Sequence, residues 1–237
     1  MINIDESIEL KFLHGLPVEL YGLNISSPII KEIIKVGYSS YNKALSSLLL
    51  DKNNIAELKN LDQSNLELII YFFERDPSFK EAFSLGIKLM FDESVSASLN
   101  EYSISLQIGE VNITEEMLFS IQQVVKFANK VSDKTEEEEF NPANSKAEEF
   151  IRKIMGDRAK KPQKKPVSNF HSLVSSLAWK HDLRILEGNL SIYQFYDGYY
   201  RLENINHYNN IMTGIYSGNI DSTKIKIQEN NWVKIIT

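Results

Sequence analysis

Few side chains in this sequence could do chemistry, and their spacing matches none of the usual catalytic or metal-binding patterns. The four histidines are scattered, and no two have the spacing that would put a pair of ligands on one helix face: His14, His171, His181 and His207. The sequence also lacks G-x-x-x-x-G-K-[S/T], G-x-G-x-x-G and G-x-S-x-G, which bind phosphates or present a nucleophilic serine. We therefore expect no catalytic residue, no metal site and no cofactor.

Two charged clusters lie within residues 132–166, which we interpret as a linker. Four consecutive carboxylates, Glu136–Glu139, come first, but acid–base catalysis needs buried carboxyl groups with separated pKa values, and such a run stays solvated. The basic cluster at 158–165 has two possible uses, a solvated linker or a local contact with RNA or DNA. A net charge of −6 opposes broad binding to phosphates, so we favour the linker.

Composition indicates an ordinary globular protein. The 237 residues are 43% hydrophobic and 24% charged, enough for one large domain or two small ones. The absence of cysteine excludes disulfides, thiolate metal sites and cysteine nucleophiles, and fits a reducing cytoplasm. Acidic residues stand where a signal peptide would be basic, and no apolar run approaches about 18 residues. We therefore expect a cytoplasmic protein without a membrane span.

Residues 1–131 are predicted to form an α+β domain. Alternation of apolar and polar residues predicts one β-hairpin over 8–23 and a second over 102–113, and the two could pair into one sheet. Between them, apolar residues at helical spacing predict four helices, the first with Ser27 as its N-cap. Thr114 is predicted to cap a further helix that closes the domain.

The linker also contains one predicted helix, at about 144–156. Its apolar residues follow the helical spacing i, i+3, i+4, i+7 and include Phe150 and Ile154, and Gly156 ends the pattern. A helix this short is marginal in water unless its apolar stripe is buried. It could dock on its own domains or bind a partner, and we name Phe150 and Ile154 as candidate partner contacts.

Residues 167–237 are predicted to form a three-helix domain that is rich in aromatic side chains. Tyr193 and Tyr200 lie off the main apolar stripe, so we expect both to be partly exposed. Aromatic rings with a polar group are favoured at protein interfaces, although they also occur at the edge of a core. We interpret the two tyrosines as candidate partner contacts and expect Asp197 to pair with Arg201 one turn later.

Several segments resemble proteins encoded in the tail-gene regions of bacteriophages and prophages of low-GC Gram-positive bacteria. They include F-L-H-G-L-P, N-P-A-N-S-K-A-E-E and L-S-I-Y-Q-F-Y-D-G-Y-Y-R-L-E. The two-domain layout also resembles the tail assembly chaperones of long-tailed phages. That resemblance implies an N-terminal domain that binds the tape-measure protein and a C-terminal domain that recruits tail-tube subunits.

These observations lead to one main hypothesis and two alternatives. The main hypothesis is a non-enzymatic tail assembly chaperone or morphogenesis factor, able to oligomerise and located in the cytoplasm of an infected or lysogenic bacterium. The first alternative is a structural protein of the tail or baseplate, which would be found in the virion. The second is a phage inhibitor of a host defence protein.

Overall fold

Helices with two small antiparallel sheets make up the fold, so the predicted α+β, mostly helical class is confirmed. The structure is a computed structural model, and it describes residues 4–55, 58–100, 103–131, 169–219, 225–228 and 230–233. Contacts group the chain into two units: Met1–Val131 with Glu187–Thr237, and Ser132–Leu186. This division differs from the predicted one, which put all of 167–237 in a separate domain.

The N-terminal hairpin is shorter than predicted because a helix occupies its first half. Helix α1 spans Glu6–Leu13, and the hairpin consists of β1, Val18–Leu20, and β2, Leu23–Ile25. The Asp5 side chain accepts a hydrogen bond from the backbone N–H of Ile8, and two glutamates lie in the first turn, where the helix dipole favours negative charge. These local signals prevail over the apolar alternation that predicted a strand.

The four predicted amphipathic helices are confirmed. They are α2, Ile30–Val36; α3, Tyr38–Leu48; α4, Asn65–Arg75; and α5, Pro77–Phe91. Ser64 begins α4 with a capping box, and Asp76 caps α5 ahead of a proline in its first turn. The predicted N-cap Ser27 is wrong, because Ile29 holds the cap position of α2 and makes no side-chain capping bond.

Helices α3 and α5 pack closely at a glycine. A Cβ added to Gly86 would lie 2.8 Å from Leu48 Cδ1 and 3.1 Å from the carbonyl oxygen of Ala44. Gly86 therefore allows the two helices to approach more closely than any larger residue would.

The second sheet has three strands: β3, Val95–Asn100; β4, Ser103–Ile108; and β5, Val111–Asn112. The pair β4–β5 confirms the hairpin predicted over 102–113, and β3 adds a longer antiparallel partner in which Val95 faces Ile108. The two hairpins do not pair with each other in the described residues, since β1 and β2 form a sheet of their own.

Helix α6, Glu115–Ala128, is capped by Thr114 as predicted, and buried polar contacts hold it against α3. The Gln122 side-chain amide donates to the carbonyl oxygens of Leu48 and Leu50. The Tyr41 hydroxyl donates to Asn129 Oδ1 at 2.6 Å. These bonds satisfy polar groups that would be costly to bury alone.

The described part of the unit Ser132–Leu186 contains α7, Phe170–Lys180, and most of a short 3-10 helix, Leu183–Glu187. Helix α7 was predicted, and it begins with a capping box between Asn169 and Ser172. The predicted linker helix at 144–156 lies outside the described residues, together with its candidate contacts Phe150 and Ile154.

The last helix, α8, runs without a break over Ile192–Tyr216. It replaces two of the three helices predicted for the C-terminal domain. Ser191 begins it with a capping box to Gln194.

Candidate polypeptide-binding groove

A short backbone pairing joins the segment before α8 to the segment before α2. Ile29 and Ser191 form an antiparallel bridge, the amide of Ile30 donates to the carbonyl oxygen of Leu190 at 2.9 Å, and the amide of Ile192 donates to that of Pro28 at 2.8 Å. These pairings bring residues more than 150 positions apart into one unit.

The Ser27 hydroxyl adds a second connection. It donates to the carbonyl oxygen of Ala128 at 2.8 Å and accepts from the amide of Tyr193 at 3.0 Å. Ser27 therefore links the end of α6 to the first turn of α8, which explains why it does not cap α2.

Tyr193 packs into an aromatic cluster and is only 3% exposed, so its predicted partial exposure is wrong. The ring centroids of Phe12, Phe127 and Tyr193 lie 5.3 to 6.1 Å apart, distances typical of favourable aromatic pairs. Tyr200, two turns further along α8, is 37% exposed as predicted.

Lys130 stands beside this cluster in a left-handed backbone conformation, with φ 49°. Its Nζ lies 4.3 Å from the ring centroid of Tyr193 and 3.5 Å from Asp197 Oδ1. Asp197 also pairs with Arg201 at 3.5 Å, which confirms the predicted i, i+4 pair. The Lys130 and Asp197 side chains are 12% and 11% exposed, so much of this ion pair is shielded from water.

A groove of about 480 Å³ opens over this cluster. One wall is the face of α1 that carries Glu6, Glu9, Leu10 and Leu13; α8 and Lys130 form the base, and Val233 lies at the edge. Both leucines and Val233 are exposed. The groove thus offers water-accessible apolar side chains next to carboxylates.

The Tyr193 hydroxyl contributes a polar group to the groove. Burial, followed by the negative charges of Asp197 and Glu9, raises the pKa of Tyr193 well above its ordinary value. Like any tyrosine hydroxyl at neutral pH, that of Tyr193 is protonated and can donate a hydrogen bond.

A second depression, of about 650 Å³, lies along α3 and α5. Serine and asparagine side chains make up much of its lining, with Tyr38 and Phe79 among them. Its carboxylate, Asp76, already accepts hydrogen bonds from the amides of Ser78 and Phe79. Among the described residues, this depression therefore has fewer apolar side chains and no carboxylate without a hydrogen-bond partner, so we take the groove as the candidate site.

The family described as the YomV second domain, which is associated with phages, matches residues 160–237. The matched range contains α7, α8 and the base of the groove formed by Tyr193 and Asp197, and it begins close to the predicted domain boundary at 167. No curated protein and no solved structure matches the chain. The C-terminal third of the sequence is thus similar to a phage-associated domain family.

Two further findings apply to the described residues alone. None of their helices is long and apolar enough to cross a membrane. No three histidine or acidic side chains among them are grouped so that they could hold a metal ion.

Proposed function

We propose that this chain is a non-enzymatic phage morphogenesis factor that acts as a tail assembly chaperone by binding tape-measure and tail-tube proteins. The observation that carries the proposal is the groove between α1 and α8, where exposed apolar side chains adjoin carboxylates. The phage-associated family match over 160–237 supports the phage setting.

Exposed apolar side chains elsewhere favour a protein that holds other polypeptides. In the unit Ser132–Leu186, Trp179, Leu183 and Leu186 are all exposed. Contiguous exposed apolar surface is typical of interaction sites, and a chaperone uses such surface to cover apolar groups on its client.

Co-expression tests the proposal. The tape-measure and tail-tube proteins of the same phage are produced with and without this chain, and the soluble fraction and co-purification of each are measured. We expect the soluble fraction of each protein to rise when the chain is present, and we expect each protein to co-purify with the chain. If neither protein co-purifies with it or becomes more soluble, the proposal is wrong.

Mass spectrometry of purified particles separates a chaperone from a structural tail protein. A chaperone leaves before the virion matures, so its peptides should be absent. Peptides of this chain present at a fixed ratio to tail-tube peptides would identify a structural component instead.

A further inference from the structure

We propose that the groove between α1 and α8 binds a polypeptide segment that presents aliphatic side chains next to lysine or arginine. The inference rests on the proposed function and gives the chemistry of the client segment. Three features of the groove carry it: its apolar side chains, its free carboxylates and one unpartnered hydroxyl.

The apolar side chains come from two parts of the unit. Leu10 and Leu13 are exposed on α1, and Val233 lines the groove from the segment 230–233. An aliphatic side chain placed among them would remove apolar surface on both partners from water, which is the main source of affinity for such a segment.

The charges favour a cationic neighbour. Among the residues that the structure describes, Glu6 and Glu9 have no ion-pair partner, whereas the cations Lys130 and Arg201 both contact Asp197. The five charged side chains that line the groove sum to one negative charge, and the two carboxylates without an ion-pair partner lie beside an apolar surface. A lysine or arginine in the bound segment complements them, and an acidic segment would be repelled.

The hydroxyl of Tyr193 gives a third, independent indication of a ligand. Its residue is 3% exposed, and no described group hydrogen-bonds to the hydroxyl. Every fully buried side-chain oxygen and nitrogen in the described residues has a hydrogen-bond partner, so this hydroxyl must reach the surface. Because Tyr193 lines the groove, its hydroxyl is placed to donate a hydrogen bond to a backbone carbonyl of a bound segment.

The test uses a fluorescein-labelled synthetic peptide and the full chain, with binding followed by fluorescence anisotropy. The peptide carries leucines at i, i+3, i+4 and i+7 with lysines beside them. Two matched peptides replace either the lysines by glutamate or the leucines by serine. We expect saturable binding of the first peptide, weaker binding at high salt, and little binding of the other two.

Four variants locate the site. Glu6→Gln with Glu9→Gln should weaken binding about three- to tenfold, since two charge pairs with the peptide are lost, one at an exposed and one at a half-buried position. Leu10→Ser with Leu13→Ser should weaken it by about tenfold. Tyr193→Phe removes one hydroxyl and should weaken it by about threefold to tenfold. Glu74→Gln with Glu81→Gln, on exposed positions of α4 and α5, is the matched control and should change nothing.

Charge reversal provides the most specific result. Glu6→Lys with Glu9→Lys should bind the glutamate peptide better than the lysine peptide, provided that circular dichroism shows an intact fold. If the groove variants and the control pair bind the lysine peptide equally, the inference is wrong. Sedimentation that shows self-association through the groove, lost in Glu6→Gln with Glu9→Gln, would also overturn it by making a second copy the occupant.

The two proposals fail separately. Tail proteins that co-purify equally well with wild type and with the groove variants would leave the proposed function standing and overturn the groove inference. Peptide binding that follows these rules, without co-purification of any tail protein, would support the groove and overturn the proposed function.

Discussion

The helix pair α3–α5 and the helix pair α1–α8 lie in the same unit but meet in different ways. Helices α3 and α5 pack closely because Gly86 has no side chain and leaves room for Leu48. Between α1 and α8 the contact is aromatic, through Phe12 and Tyr193, with an ion pair and an open groove beside it. The first contact holds the fold together, while the second combines stability with water-accessible groups in the groove.

The largest effect should come from truncating the ring at the centre of the second contact. Tyr193→Ser removes a buried ring that touches Phe12 and Phe127, and should lower the free energy of unfolding by about 4 kcal/mol. Tyr200→Ser, at an exposed position, should cost less than about 1 kcal/mol. Urea denaturation followed by circular dichroism measures both, and equal losses would show that the two tyrosines are not differently buried.

The next largest effect should come from breaking the shielded ion pair between Lys130 and Asp197. Asp197→Asn leaves Lys130 without its charged partner, and should lower the free energy of unfolding by about 3 kcal/mol. Arg201→Gln removes a partner that is 41% exposed and should cost less than about 1 kcal/mol. A double-mutant cycle between Lys130 and Asp197 checks the assignment, because a coupling energy near zero would contradict the pair.

A glycine pair tests the steric contact. Alanine normally stabilises a helix interior by about 0.5 to 1 kcal/mol relative to glycine, and Gly198→Ala should do so because nothing lies within 4 Å of the added Cβ. Gly86→Ala should instead destabilise by about 2 kcal/mol, because its Cβ meets Leu48. Thermal unfolding of the two variants should therefore give shifts of opposite sign, and a stabilising Gly86→Ala would show that α3 and α5 are less tightly packed.

A smaller effect should appear at high pH. Burial raises the pKa of Tyr41, Tyr193 and Tyr196 above that of an unfolded tyrosine. Because the unfolded chain then loses these protons first, stability is retained below about pH 10 and falls above it, by up to about 1.4 kcal/mol per pH unit for the buried Tyr41 and by less for the other two, which water screens in part. Tyr41→Phe should reduce that slope, and an unchanged slope between pH 10 and 11 would contradict the burial of its hydroxyl.

The comparison of the two contacts also explains what sequence patterns could predict. Helices α4, α5 and α6 were predicted because their caps and apolar stripes are local signals. The buried position of Tyr193 was not predictable in the same way, since the rings that cover it, Phe12 and Phe127, are 181 and 66 residues away. A helical wheel shows where a side chain lies relative to the apolar stripe of its own helix. It cannot show that residues distant in sequence, here Phe12 and Phe127, cover a position outside that stripe.

Other differences between prediction and structure had local signals in the sequence. The capping residue Asp5, followed by acidic residues, indicated a helix where alternation predicted a strand, and the groove wall on α1 was missed with it. Strand β3 shows its own alternation, with Val95, Ala97 and Leu99 two apart. No glycine or proline interrupts α8 near residue 204, so nothing in the sequence required the predicted break there.

Hydrogen–deuterium exchange of the full chain, with and without co-purified tape-measure protein, tests the central claim most directly. If the groove is the client site, binding should slow exchange in α1 and in the first three turns of α8 and leave α3 and α5 unchanged. Slower exchange confined to α3 and α5, with none in α1, would contradict the account.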